Sequence, residues 1–157
     1  MNDIIKFCIF VGIGSTLVLD VWVMLVQKVT GIPPTNWSVV GRWLKGLPKG
    51  SLVLGDASNL NQSDKVIGWI FHYIIGIAYA VLLILYAGTG FIDNPQWEAV
   101  IVIGLVVSTL AGLLILMPGL GAGVLGRKLP NQMLMILYLI IAHAVFAVGQ
   151  YVFSAFY

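Results

Sequence analysis

Hydrophobic positions along this chain fall into four long blocks, each nearly free of charged residues. A helix that crosses a bilayer needs about 20 consecutive, mostly apolar residues. The pattern therefore predicts an all-α, polytopic membrane protein that forms a bundle of four transmembrane helices. Their expected bounds are 4–26, 66–87, 97–117 and 132–153, within a single membrane domain over residues 1–157.

The connection between the first two blocks has a pattern of its own. Its apolar residues recur at helical spacing on one side of the segment 36–45, at Trp37, Val40, Trp43 and Leu44. This spacing predicts a short amphipathic helix that lies at the membrane interface and is anchored by its two tryptophans. Arg42 in the same segment has a second interpretation, as a contact for a phosphate or carboxylate group of a ligand.

Composition supports a membrane protein and argues against other classes. Hydrophobic residues make up 60% of the chain and charged residues 9%, whereas soluble proteins have about 45–50% and about 25%. The net charge is only +2 and the basic residues are scattered, so a nucleic-acid partner is not expected. The single cysteine, Cys8, excludes a disulfide within one chain.

The basic residues predict how the helices are oriented. Seven of the eight lie in or beside the first and third connections: Lys28, Arg42, Lys45, Lys49, Lys65, Arg127 and Lys128. The opposite side of the predicted bundle has only Lys6. Because lysine and arginine collect on the cytoplasmic side of a membrane, both basic connections are expected inside and both termini outside.

Asp20 is the first candidate for chemistry, because it lies within a predicted transmembrane helix. A carboxylate that faces lipid there costs about 2.5–3.5 kcal/mol on insertion scales, so Asp20 is expected to face the bundle. Gly12 and Thr16 precede it at spacings of four, which places small and polar residues on the same helix face. Asp20 and Thr16 are therefore candidates for a ligand site or a proton relay.

Two histidines extend this polar pattern to other helices. His72 lies in a stripe of small residues with Gly68 and Gly76, and His143 lies in the fourth predicted helix. Together with Asp20 they predict a shared polar centre that serves as a proton relay, a ligand site or a metal site. Two histidines and a carboxylate match a known metal-ligand set, although the sequence does not fix the distances between them. Purely structural hydrogen bonds between helices are the alternative, but such bonds contribute only about 0.6 kcal/mol on average. A b-type haem with the two histidines as axial ligands is a further alternative.

The third connection is rich in glycine. Gly121 to Gly126 fits the pattern G-x-G-x-x-G, but a dinucleotide site requires a preceding strand, and here a predicted transmembrane helix precedes it. One interpretation is a helix stop at Pro118 followed by a flexible turn. The other is a set of backbone N–H groups that binds an anion, with Gly119, Gly121, Gly123 and Arg127 as the candidate residues.

Taken together, these motifs resemble a bacterial membrane family known as domain of unknown function 2938. The resemblance covers nearly the whole chain, although Met117 stands where we would expect a polar residue. It is carried by Gly12, Thr16, Asp20 and Trp22; by Val40, Gly41, Arg42, Trp43, Pro48 and Gly50; by Gly68, Trp69, His72, Tyr73 and Gly76; by Pro118, Gly119, Gly121 and Gly123; and by His143, Phe146, Gly149 and Tyr151. It implies a multi-pass protein of the bacterial inner membrane, which makes the predicted outer side of the termini the periplasm. It adds no substrate, reaction or cofactor.

The leading functional hypothesis is binding or transport of a small ligand, an ion or protons through a polar site in the cytoplasmic half of the bundle. Asp20 would be the buried acid, His72 its partner, Arg42 an anion contact and His143 a deeper polar group. Three alternatives stay open: an enzyme of the membrane that acts on a lipid or quinone, a haem- or metal-binding bundle, and a structural or assembly partner. The lipid bilayer is the expected partner, and a homodimer is compatible with so small a protomer.

Overall fold

The computed structural model describes residues 2–157, and all of their regular secondary structure is helical. Four helices are long and apolar enough to cross a membrane, which confirms the predicted fold class. The fifth, α2, is shorter and precedes α3. In chain order the helices are α1 (Asn2–Thr30), α2 (Trp37–Gly46), α3 (Gln62–Ala87), α4 (Trp97–Gly119) and α5 (Gln132–Ala155).

The observed helices extend beyond the apolar blocks. Helix α1 ends four residues later than expected, at Thr30, and α3 begins four residues earlier, at Gln62 rather than at residue 66. Asn61 caps its first turn: its side-chain oxygen accepts a hydrogen bond from the backbone N–H of Asp64, and the Asp64 carboxylate accepts one from the backbone N–H of Asn61. This reciprocal capping box satisfies backbone donors at the helix start. The polar first turn is therefore helical, although it is not part of the apolar block.

Helix α4 contains two π-helical segments, Ile101–Val107 and Gly112–Leu116. Pro118 follows the second of them within the last turn of α4. Proline has no N–H, and its ring collides with the carbonyl group one turn earlier in a regular α-helix. A wider turn before Pro118 relieves that collision, so the helix continues through the proline to Gly119.

The contacts divide the chain into two compact units. Unit 1 comprises residues 2–34, 73–109 and 140–157 of the described chain, and unit 2 comprises residues 35–72 and 110–139. Helices α3, α4 and α5 each contribute residues to both units, whereas α1 belongs to unit 1 and α2 to unit 2.

Unit 1 is held together by an apolar core and by close backbone contacts between helices. Its buried core includes Phe7, Cys8, Val11, Ala80, Leu83, Ile84, Phe91, Ala99, Val100 and Ile103. At Gly12 of α1, a Cβ atom would collide with the backbone of Ile77 in α3, and at Gly76 it would collide with the Thr16 side chain. Small residues at these positions allow the two helices to approach closely, as they do in membrane bundles generally.

In unit 2, α2 packs on the first turns of α3 in the same way. A Cβ atom at Gly41 would overlap the carbonyl group of Asp64, and one at Gly68 would overlap the carbonyl group of Trp37. Trp43 is buried against Gly119, and its indole N–H donates to the carbonyl oxygen of Leu52 at 2.9 Å. The apolar side of α2 therefore packs on the protein itself.

The contact at Gly12 gives a test of the packing in unit 1. Gly12→Ala adds a methyl group against the backbone of α3, which cannot yield as a flexible side chain does. We expect a net loss of stability, because overpacking costs about 1–3 kcal/mol and exceeds the gain of up to about 1 kcal/mol from alanine in a helix. The measurement is the thermal midpoint of unfolding in detergent.

The matched control for this test is Gly55→Ala. Gly55 lies in an open loop, and no atom comes within 4 Å of an added Cβ there. A Gly12→Ala midpoint equal to or above that of Gly55→Ala would show that the contact between α1 and α3 is not tight.

Candidate functional site

Asp20 is paired with a residue of another helix within unit 1. The hydroxyl group of Tyr73 in α3 donates a hydrogen bond to the Asp20 carboxylate at 2.9 Å. Asp20 is ten residues before the end of α1 and Tyr73 is eleven residues after the start of α3, so both lie about 15–16 Å from those ends. The two half-buried side chains thus meet at equal depth inside their candidate membrane spans.

Thr16 lies one turn before Asp20 on α1 and is almost fully buried. Its hydroxyl group donates to the carbonyl oxygen of Gly12 in the same helix at 2.7 Å, and its side chain contacts Gly76 of α3. Thr16 therefore contributes to the close contact between α1 and α3, one turn before Asp20 along α1. Its hydroxyl proton is engaged in the hydrogen bond to Gly12.

His143 of α5 has its own partner in unit 1. Its Nδ1 atom lies 3.1 Å from the hydroxyl group of Thr109 in α4, within hydrogen-bonding distance. His143 is recognisable in the sequence as an ionisable residue inside an apolar block, whereas Thr109 has no such signal. Asp20 and His143 are thus each paired with a hydroxyl group from a neighbouring helix, Asp20 with a tyrosine and His143 with a threonine.

The densest group of charges lies in unit 2, around Asp64. Its carboxylate is fully buried and accepts hydrogen bonds from the Arg42 guanidinium at 2.8 and 3.1 Å and from the Lys45 ammonium group at 2.7 Å. Arg42 also donates to the carbonyl oxygen of Asn59 at 2.8 Å, and Lys45 contacts the hydroxyl group of Ser63. We call Arg42, Lys45 and Asp64 the charge clasp, because they tie α2 to the start of α3.

The charge clasp gives Arg42 a carboxylate partner within the chain. The hydrogen bond from Arg42 to Asp64 raises the pKa of the guanidinium, so the side chain stays charged. Its Nε atom and one terminal nitrogen are bound to Asp64 and Asn59, which leaves only the other terminal nitrogen for a ligand.

Asp64 is a residue that the sequence analysis missed. The available signal was the capping-box spacing Asn61-x-x-Asp64 immediately before an apolar block. That signal predicts the helix start, but not that α2 would cross there and bring two cations to the same carboxylate.

His72 in α3 belongs to an aromatic cluster in unit 2. Its ring stacks on Trp37 of α2 with a centroid distance of 4.0 Å and makes an edge contact with Trp69 at 5.7 Å. The absence of a side chain at Gly68 allows this stacking, because the backbone of Trp37 lies directly on Gly68. His72 is therefore buried, with the first tryptophan of α2 covering one face of its ring.

The glycine-rich connection forms a well-defined helix end. The backbone N–H of Ala122 donates to the carbonyl oxygen of Met117, and that of Gly121 donates to the carbonyl oxygen of Pro118. This pair of bonds is the Schellman motif, which requires a left-handed residue at the position of Gly121, where φ is +84°. The left-handed Gly121, rather than Pro118, therefore terminates α4.

The candidate anion site in the same connection has few backbone donors to offer. The N–H groups of Gly126, Arg127 and Lys128 all donate to carbonyl oxygens within the turn, at 2.9–3.3 Å. Gly119 packs under Trp43, and its carbonyl oxygen accepts from the N–H of Leu54 at 2.7 Å. Together with the N–H groups already used at the helix end, these contacts favour the turn interpretation over an anion site at Gly119, Gly121, Gly123 and Arg127.

Over residues 2–157, no three histidine, cysteine, aspartate or glutamate side chains are grouped so that they could hold a metal ion. The polar groups of the site are instead paired between helices, as Asp20 with Tyr73, His143 with Thr109, and Asp64 with two cations.

These features define the class of this protein as an all-helical chain with four candidate membrane spans and ionisable groups within at least three of them, including Asp20 in α1, His72 in α3 and His143 in α5. A family model described as "Protein of unknown function (DUF2938)" matches residues 9–156. The chain belongs to this family, which confirms the resemblance seen in its motifs. Neither the curated proteins nor the solved structures contain a significant match to it.

The charge clasp can be tested by removing its central negative charge. Asp64→Asn keeps the size of the side chain but leaves Arg42 and Lys45 near each other without a counter-charge. We expect α2 to detach more often from α3, and trypsin to cleave after Lys45 at least about tenfold faster, which corresponds to a loss of only about 1.4 kcal/mol. The measurement is the rate of tryptic cleavage of the folded protein in detergent.

The control is Asp56→Asn, which removes an exposed carboxylate from the loop before α3 and leaves the charge clasp intact. Equal cleavage rates for Asp64→Asn and Asp56→Asn would show that the ion pairs do not hold α2 in place.

Proposed function

We propose that this protein binds a proton or a monovalent cation at Asp20 within the bilayer, as a multi-pass protein of the bacterial inner membrane. The observation that supports this most directly is the hydrogen bond from Tyr73 to the Asp20 carboxylate inside two candidate spans. Ionisable groups inside membranes are costly and usually serve an ion or proton pathway. The oxygens of an aspartate carboxylate can accept a proton or coordinate a cation.

The surroundings of Asp20 support a positioned site. Gly12 and Gly76 bring the backbones of α1 and α3 into contact one to two turns before Asp20 along α1, which fixes the spacing of the two helices. Tyr73 lies one turn before Gly76 on α3, so its hydroxyl group is held opposite the carboxylate. A rigid scaffold of this kind keeps a binding group in one geometry.

Asp20 and Asp64 differ in their burial and in the charge of the groups described beside them. Asp64 is fully buried and bound by Arg42, Lys45 and its own capping contacts. Such a carboxylate is neutralised within the protein and serves the fold. Asp20 is half-buried and accepts a hydrogen bond from the neutral hydroxyl group of Tyr73. Asp20 is therefore the better candidate for an exchangeable ion.

The binding proposal is tested by infrared difference spectroscopy on the protein reconstituted in bilayers. Spectra are recorded while the buffer is changed between two pH values, and then between sodium and potassium at constant pH. We expect a carboxyl band in at least one of these difference spectra that is absent from Asp20→Asn and altered in Tyr73→Phe. Asp93→Asn, which removes an exposed loop carboxylate, is the matched control and should leave the band in place.

Identical difference spectra for the native chain and a folded Asp20→Asn variant would refute the proposal. A band that responds only to pH would identify the ion as a proton, and one that also responds to the change of cation would identify a metal cation.

In the proposed orientation, both termini and the second connection face the periplasm. The first and third connections, which carry the basic residues, face the cytoplasm. We test it with single cysteines in a Cys8→Ala background, since Cys8 is buried in the core. Lys49→Cys and Asp93→Cys place thiols at exposed positions in the first and second connections.

In intact spheroplasts, a membrane-impermeant maleimide should label Asp93→Cys at once and Lys49→Cys only after lysis. The opposite pattern would show that the orientation is inverted, which would place the Asp20–Tyr73 pair in the periplasmic half of the membrane.

A further inference from the structure

Gln150 of α5 is a buried polar residue that the sequence analysis did not select. Its side chain is fully buried in unit 1, and neither its amide oxygen nor its amide nitrogen has a hydrogen-bond partner within the described chain. One turn later, Ser154 is 2% exposed, and its hydroxyl group also lacks a hydrogen-bond partner there. Residues four apart on a helix lie side by side, so the two groups are neighbours.

The amide of Gln150 lies against the backbone of α4. A Cβ atom at Gly104 would overlap its Oε1 atom and contact Ala147 of α5. Gly104 belongs to the π-helical segment Ile101–Val107. The absence of a side chain at Gly104 thus makes room for the amide between α4 and α5, and π-helical turns occur frequently at functional sites.

Other buried polar residues of unit 1 find a hydrogen-bond partner within their own helix. Ser15 and Ser108 are as deeply buried, but each hydroxyl group donates to a carbonyl oxygen of its own helix, at 2.7 Å and 2.6 Å. Gln150 and Ser154 do not. A buried amide without a partner is strongly destabilising, and in native proteins such groups usually bind an internal water or an ion.

The chemistry of the site indicates which guest it takes. The Gln150 amide offers two N–H donors and one carbonyl acceptor, and the Ser154 hydroxyl group can both donate and accept. Gly104, against which the amide oxygen lies, carries no charge. A cation could be coordinated by the amide and hydroxyl oxygens, but it would leave both amide N–H groups without an acceptor. A water molecule both donates and accepts, and buried waters typically make about three hydrogen bonds.

We infer that Gln150 and Ser154 form an internal hydration site between α4 and α5, which binds at least one water molecule inside the candidate membrane span. Gln150 is five residues before the end of α5, so the site lies about 8 Å from that end. It is independent of the binding proposed at Asp20.

The site is tested first on the native chain. The protein is labelled with nitrogen-15 at its five glutamines and reconstituted in bilayers for solid-state NMR. Magnetisation is then transferred from water to the side-chain amides. We expect transfer to Gln150, whose signal is identified by its loss in Gln150→Met, at a level comparable with the exposed Gln62 and Gln96. No transfer to Gln150 would refute the hydration site.

A stability measurement provides a second test, because a bound water and an empty site predict shifts of opposite sign in the thermal midpoint. Gln150→Met keeps the length of the side chain but removes its hydrogen bonds, and Ser154→Ala removes the hydroxyl group. If the site binds water, each change should lower the thermal midpoint in detergent by about 2–4 °C. If the amide had no guest, replacing it with an apolar side chain would raise the midpoint, and that result would overturn the inference.

Two controls complete the comparison. Ser15→Ala removes an equally buried hydroxyl group that binds its own helix, and it should change the midpoint less than Ser154→Ala does. In an Asp20→Asn background, which removes the binding proposed at Asp20, replacing sodium or potassium by a large organic cation should leave the midpoint unchanged. A cation-dependent midpoint that is lost in Gln150→Met would identify a cation in place of the water and would also overturn the inference.

Discussion

A helix that crosses a bilayer cannot rely on solvent to satisfy its polar groups, because hydrocarbon offers no hydrogen-bond partner. The arrangement of polar groups in this protein follows from that constraint. Backbone groups are satisfied within the helices, and hydroxyl groups such as those of Ser15 and Ser108 donate to their own helix. Larger polar groups need partners from a neighbouring helix, as Asp20 has in Tyr73 and His143 has in Thr109.

Such partners can meet only if the helices come close, and glycine provides that closeness. Lipid surrounds the helices with a medium as apolar as their own side chains, so packing rather than the hydrophobic effect holds them together. Gly12 and Gly76 bring α1 against α3 in unit 1, and Gly41 and Gly68 bring α2 against α3 in unit 2. In each unit, polar contacts lie beside the glycine contact: the Asp20–Tyr73 pair in the first and the charge clasp in the second.

Surroundings, rather than residue type, separate the structural groups from the candidate functional ones. Asp64 and Asp20 are both aspartates in candidate spans, but two cations neutralise the first and a neutral hydroxyl group holds the second. Gln150 presents a third situation, an amide that no described protein group satisfies. The proposal for Asp20 follows from its place inside a candidate span beside Tyr73, and the inference for Gln150 follows from an amide without a partner.

Much of the fold could be read from the chain itself. The length and polarity of the apolar blocks predicted four long helices, and the spacing of Trp37, Val40 and Trp43 predicted α2. These are local properties, since about 20 apolar residues are long enough to cross a bilayer whatever their neighbours are. The helix ends were less accurate, because polar capping turns at Asn61 and Asp64 extend a helix beyond its apolar block.

The sequence by itself determined the class of fold and which ionisable residues lie inside apolar blocks, where placing them in a membrane costs free energy. Only the tertiary structure decided their partners. Tyr73 is 53 positions from Asp20 and Asp64 is 22 positions from Arg42, and no periodicity along the chain relates residues so far apart. The unmatched amide of Gln150 likewise became visible only with α4 in place, because hydrogen-bond satisfaction depends on every atom packed around a group and not on its position in the chain.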